Sequence, residues 1–191
     1  MFGNILGNAE IVRLRETRAL TIDPFDIKNL KLAHYKLTAE SLWAPRVQRD
    51  GRVGQDFVHS FKNDEEFVFA PHAYHLVEVK EFVHLPDGVI ANFVPVSEFA
   101  LRGFALVAGK LDPGYGELGD ARQKLLFGVK NLLDHENLYS QKLGLAHMSL
   151  VSLTGASLLR DELTKAELAR LTQRDPERWR RANDDGPLYP E

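Results

Sequence analysis

Phe82-Val83-His84-Leu85-Pro86-Asp87-Gly88-Val89-Ile90 is the run on which the fold is decided. It gives a strand, a Pro-Asp-Gly turn and the start of a second strand. The same style of punctuation continues through a region, Glu81 to Asn131, that reads as nearly continuous β-structure. Ala100-Leu101-Arg102-Gly103-Phe104-Ala105-Leu106-Val107-Ala108-Gly109 comes first, then Leu111-Asp112-Pro113-Gly114-Tyr115-Gly116, and last Leu125-Leu126-Phe127-Gly128-Val129-Lys130-Asn131. Many short strands separated by glycine and proline turns argue for an all-β barrel or sandwich over an α/β fold.

Upstream, Asn8 is placed to cap a short helix over Ala9 to Thr17, with Ile11, Val12 and Leu14 inward. Leu20 to Phe25 reads as an extended piece ended by Pro24, and Leu32 to Leu37 as a strand. Asp50-Gly51-Arg52 marks a hairpin turn. Phe67 to Pro71 is a strand halted by proline, and Tyr74 to Phe82 alternates with period two. Downstream, Tyr139 to Leu153 closes the β-region. The pattern changes after Gly155: Thr164-Lys165-Ala166-Glu167 is a capping box, and Asp175-Pro176 starts a second helix. The expected organisation is a β-domain over 1–155 and a helical arm and tail over 156–191.

Composition narrows the function classes. The chain has 191 residues, 44% of them hydrophobic and 27% charged, as in an ordinary globular domain with a sizeable core. A net charge of −3 gives no electrostatic reason to expect nucleic acid or a membrane surface as partner. With no cysteine, disulfides, thiolate catalysis and cysteine-ligated zinc are excluded. The first residues lack a basic segment and a long apolar run, so a cytoplasmic location is expected.

In their order and spacing these motifs resemble the dCTP deaminase/dUTPase superfamily, whose members act on deoxypyrimidine triphosphates as trimers. The resemblance runs from about Ile5 to Thr154. It implies a mainly β fold, a distorted β-barrel of dUTPase/dCTP deaminase type with an N-terminal helix and C-terminal helices. It also implies a homotrimer whose sites lie between subunits, a deoxypyrimidine triphosphate as ligand, and Mg2+ beside its phosphates.

Residue by residue, the best-kept motif is Leu111-Asp112-Pro113-Gly114-Tyr115-Gly116, which resembles the family's hairpin. By that likeness Asp112 is the catalytic candidate, a water-activating carboxylate, and Tyr115 packs on deoxyribose. Apart from the family, Asp-Pro-Gly is also a good type II turn and Tyr115 an aromatic at a barrel mouth. In Val96-Ser97-Glu98-Phe99-Ala100-Leu101-Arg102-Gly103, Ser97 and Gly103 match the second motif, and Arg102 sits one place later than the family's arginine. Ser97 is a candidate phosphate contact, or a cap for the helix from Glu98 onward. His147 falls close to where the family reads the base and completes the substrate-binding set of Ser97, Arg102, Tyr115 and His147.

Three positions depart from the pattern. Lys36 stands where the first motif keeps an acid, and Val96 where the second keeps an arginine. Gly128 lies three places before Asn131, where the deaminases keep the glutamate that activates water. Only Glu117, in the inserted segment Glu117 to Lys124, offers a nearby replacement acid. The His72-x-x-His75 pair does not make a metal site, because residues three apart on a strand face opposite ways. Asp134-His135-Glu136 reads as a polar loop, and Arg174, Arg178, Arg180 and Arg181 as a solvated helix face or a phosphate clamp. The expectation is a protein that binds a deoxypyrimidine nucleotide at subunit interfaces with its family chemistry partly lost. If an enzyme, it is a divergent dCTP deaminase or dUTP diphosphatase; the alternative is a non-catalytic regulatory or structural trimer on the same scaffold.

Overall fold

The computed structural model describes residues 4–49, 51–62, 65–113, 115, 117–118 and 121–153. The boundary at 155, the Thr164 capping box and the C-terminal arginines lie outside the described residues. In chain order, strand β1 (Asn4–Ile5) is followed by helix α1 (Asn8–Glu16), β2 (Thr21–Asp23), β3 (Tyr35–Leu37), β4 (Ala39–Val47) and β5 (Val53–Ser60). Next come β6 (Glu66–Phe69), β7 (Tyr74–Val79), β8 (Phe82–His84), β9 (Val89–Pro95) and helix α2 (Ser97–Leu101). The remaining strands are β10 (Phe104–Val107), β11 (Lys110–Leu111), β12 (Glu117–Leu118), β13 (Ala121–Arg122), β14 (Leu126–Asn131), β15 (Asn137–Ser140) and β16 (Ala146–Ser152).

Two five-stranded antiparallel sheets organise the mainly β fold. The first is built around β16, with β9 on one edge and β11 beyond it. The other edge of β16 is shared, β3 pairing with Ala146 to Met148 and β1 with Val151 and Ser152. The second sheet runs β10-β14-β7-β4-β5, and three two-stranded ladders (β2–β8, β6–β15 and β12–β13) complete the set. The distortion of the expected barrel thus takes the form of two separate sheets, with no closed ring of strands among the described residues.

Alternation explains how the sheets bury. On β16, Ala146, Met148 and Leu150 are fully buried while His147, Ser149 and Val151 are half-exposed, the period of a strand with one wet face. An aromatic cluster joins α2, β10 and the β6–β15 ladder. Phe99 stacks on Phe104 at 5.1 Å, Phe104 meets Phe69 edge-on at 5.2 Å, and Tyr139 meets Phe61 edge-on at 5.2 Å. The buried Tyr139 hydroxyl donates to Gly144 O at 3.2 Å, and burial pushes its proton affinity far up.

The turns behave as their residues dictate. Gln48 N donates to Arg52 O at 2.8 Å and Gly51 has φ +85°, closing the β4–β5 hairpin. At Pro86-Asp87-Gly88 the turn closes through Val89 N to Pro86 O at 3.1 Å. Its two strands do not pair with each other: β8 pairs with β2 and β9 with β16, so this turn hands the chain between ladders.

Two local expectations are corrected. Gly7, and not Asn8, takes the cap position of α1, because Glu10 Oε2 reaches back to accept from Gly7 N at 2.8 Å. The alternating run 74–82 is two strands, broken where Lys80 N donates to Thr38 O at 2.8 Å and Glu81 turns inward to accept from Thr38 N at 3.0 Å.

Candidate functional site

The Asp112 turn hangs from a short strand. β11 pairs with β9 through Lys110–Asn92 and Leu111–Ala91, which places Asp112 near the Val89 end of β9. Asp112 is exposed, and its Oδ1 lies 2.9 Å from Lys110 Nζ, two residues back on the same strand face. Tyr115 N donates to Asp112 O at 3.3 Å, and the Tyr115 side chain is partly exposed. The turn and its flanking side chains therefore stand at the surface. Beyond it, the inserted segment forms the β12–β13 ribbon; the Glu117 side chain lies outside the described set.

Ser97 and Arg102 stand at the other end of β9. Ser97 is the first residue of α2, and Val96 occupies the cap position with no side-chain bond. Ser97 is exposed and begins the helix one residue after that position. Arg102 folds back along the helix, with Nη2 3.0 Å and Nε 3.3 Å from Glu98 Oε1. Its carbonyl accepts from Asn137 Nδ2 at 2.7 Å.

At Gly128 the structure adds a neighbour that no motif signals. A Cβ on Gly128 would lie 2.2 Å from the Tyr74 hydroxyl oxygen and 2.8 Å from two ring carbons. Tyr74 thus lies across the space a side chain at 128 would enter, carried there by the β14–β7 ladder that pairs Gly128 with Leu76 and Lys130 with Tyr74. Asn131 is fully buried. Its Nδ2 donates to Ala70 O at 3.0 Å and His135 O at 2.9 Å, and its Oδ1 accepts from Leu133 N at 3.1 Å. Its work is to hold the 131–137 loop.

His147 sits half-buried on β16, opposite Val94 of β9 and Lys36 of β3. Its ring lies against that of His34, with centroids 4.1 Å apart. Burial, then the charges of His34, Lys36 and Lys31, hold its proton affinity below the ordinary histidine range. The single chain therefore puts the five candidate residues in three places: Asp112 with Tyr115, Ser97 with Arg102, and His147 by itself.

A second polar cluster escaped the sequence reading. Lys124, at the end of the inserted segment, bridges to Glu40, and Glu78 hydrogen-bonds Glu40. Burial raises the proton affinity of Glu78, against the pull of Lys124. The residues meet because β4 and β7 pair at Ser41 and Glu78, a register that sequence does not announce. His72 lies exposed in a turn at φ +56°, whereas His75 packs against Phe67 and Phe69 at 5.6 and 5.2 Å, and burial lowers its proton affinity. Among the described residues no three His, Asp or Glu side chains gather as a metal site, and Asp112 is already neutralised by Lys110.

The family model of dCTP deaminase-like proteins matches residues 5–136, more than half of the chain. The chain belongs to the dCTP deaminase-like family. Among solved structures, the 2′-deoxycytidine 5′-triphosphate deaminase from Agrobacterium tumefaciens aligns over 92% of this chain and 54% of its own, at 15% identity and a TM-score of 0.56. The chain spans about half the length of that deaminase, and at that identity the likeness concerns the fold. A dUTPase from phage phi11 of S. aureus, studied for its coordination of a structural Mg(II) ion, aligns over 70% of this chain and 90% of its own, at 15% identity and a TM-score of 0.43. For the EIAV dUTPase the figures are 61% and 87%, at 12% identity and a TM-score of 0.40. No curated protein sequence matches the chain significantly. Of the three positions Lys36, Val96 and Gly128, Gly128 is the one against which the Tyr74 side chain lies.

Proposed function

We propose that this dCTP deaminase-like protein binds a deoxypyrimidine nucleoside triphosphate at sites shared between the subunits of a homotrimer, and does not deaminate it. The observation that carries the reading is the span of β9. Tyr115 and Asp112 lie near its first residue, and Ser97 and Arg102 follow its last. Seven residues of strand cover roughly 20 Å. A deoxyribose and its 5′-phosphates are only a few bonds apart, so Tyr115 and Ser97 meet one nucleotide only when a second chain brings one of them. Magnesium would enter with the triphosphate, because it is held mainly by phosphate oxygens and one or two carboxylates.

The same site argues against deamination. A positioned general acid or base contributes about 10²–10⁴-fold, and Gly128 brings none to the place where the family pattern expects a glutamate. Tyr74 lying across that glycine favours a binding or regulatory role over turnover. Asp112 remains a water-activating candidate, so dUTP is the substrate on which residual diphosphate hydrolysis is measured.

Calorimetric titration of the intact protein with dUTP and dCTP tests binding, and ammonia and pyrophosphate release tests turnover. Binding without ammonia release is expected; binding of neither nucleotide would refute the proposal. Arg102→Ala and Tyr115→Ala are each expected to lose affinity, and a co-refolded mixture of the two to regain part of it. A mixture no better than its components would refute the shared site.

A further inference from the structure

Positive charge is concentrated at one end of the β16 sheet, on its outer face. Lys36 stands opposite His147 in the β3–β16 ladder, so the two side chains share that face. The His34 ring covers the His147 ring, 4.1 Å away and tilted by 30°. The stem of Lys36 runs over Gly144, where a Cβ would approach Lys36 Cδ to 2.9 Å and Val96 Cγ2 to 3.4 Å. Lys31 lies close enough to act on His147, and its Nζ also donates to Lys28 O at 2.9 Å.

The charges that act on His147 are those of His34, Lys36 and Lys31, and each opposes its protonation. Across on β9 the facing residue is the uncharged Val94. Among the described residues no carboxylate pairs with any of the four. Two ammonium groups beside two imidazoles, with no carboxylate counter-ion among the described residues, make a cluster that suits an anion. A phosphate group suits them better than a carboxylate, since it brings up to two charges and three acceptor oxygens.

We infer that Lys31, His34, Lys36 and His147 form a phosphate-binding site that takes up a proton as it fills. The ammonium of Lys36 gives the anion a fixed charge, and the His147 imidazole becomes a donor once the anion offsets its cationic neighbours. Binding therefore strengthens as pH falls. This deepens the nucleotide reading by locating phosphate, and it is tested with a probe that has neither base nor sugar.

Inorganic pyrophosphate is titrated calorimetrically into the intact protein, without magnesium, at about pH 5.5 and about pH 8, on either side of the ordinary histidine value. Affinity is expected to fall by about tenfold or more at the higher pH, with a heat that depends on the buffer's ionisation enthalpy as proton uptake requires. Lys36→Gln and His147→Gln are each expected to weaken binding at the lower pH by about ten- to a hundredfold. Lys36→Arg, which keeps the charge, retains it, and Lys130→Gln on the other sheet leaves it unchanged. Equal binding by Lys36→Gln and the natural protein, or an affinity flat across the two pH values, overturns the inference. Pyrophosphate bound as described but dUTP refused would leave this site standing and remove the nucleotide reading alone. The reverse would remove only this site.

Discussion

Tyr74 and Gly128 show how a glycine on one strand makes room for a ring on the next. Placing a carboxylate there by Gly128→Glu is not a simple addition, because the new Cβ would meet the Tyr74 hydroxyl at 2.2 Å. Overpacking of this kind destabilises by about 1–3 kcal/mol unless the neighbour swings away. Gly128→Glu is therefore expected to lower the urea midpoint, and the double variant with Tyr74→Ala to recover much of the loss. Equal midpoints for the natural protein and the single variant would show that Tyr74 moves freely. The double variant is also the fair background for an ammonia-release assay on dCTP. Sequence alone singles out the glycine, because its spacing from Asn131 can be read directly along the chain. It could not expose the tyrosine, which lies 54 positions away and arrives through strand pairing.

Glu81 is a second residue whose behaviour follows from its surroundings. It is 2% exposed, and burial raises its proton affinity against the opposing hydrogen bond from Thr38 N–H. The unfolded chain releases this proton at the ordinary glutamate value, about pH 4.3–4.5, and the folded chain only at higher pH. Between those values the native state binds more protons, so stability falls as pH rises through the window. Glu81→Gln keeps an acceptor for Thr38 N–H and carries no charge. Its urea midpoint is expected to exceed that of the natural protein at neutral pH, with the gap closing near about pH 4. Parallel pH profiles would contradict this account.

Among the elements, the joint between α2 and β10 depends on one glycine. Gly103 has φ +81°, and a Cβ there would lie 2.7 Å from Leu133 Cδ2. Gly103→Ala combines a left-handed backbone with a steric overlap and is expected to cost about 2–4 kcal/mol, read as a lowered denaturant midpoint with an unchanged slope. An unchanged midpoint would mean that the joint relaxes. Individual strands were legible because glycine, proline and alternation are local signals: the β4–β5 hairpin, β6 and β16 all fall where their residues place them. Partners were not legible. The Pro86-Asp87-Gly88 turn looks from sequence like the tip of a hairpin, yet its strands pair with β2 and β16, because register is settled by which apolar faces meet and not by the turn. For the same reason His147 was readable as a candidate while its neighbours His34 and Lys36, more than 100 residues earlier, were not.

For the whole molecule, the arrangement along β9 calls for assembly. Light scattering at micromolar concentration is expected to give the mass of three chains, with the sites of the proposed function formed only in that state. A clean monomer would remove the shared-site argument. The centre of the first sheet carries a different consequence. β16 is the last described strand, yet it pairs with β1, β3 and β9, all made earlier. During synthesis those three strands emerge with their inward apolar residues and hydrogen-bonding edges unsatisfied. They stay so until Ala146 to Ser152 leave the ribosome. The sheet is completed from its middle, late and all at once, and long-range pairing of that kind is slow and open to aggregation while it waits.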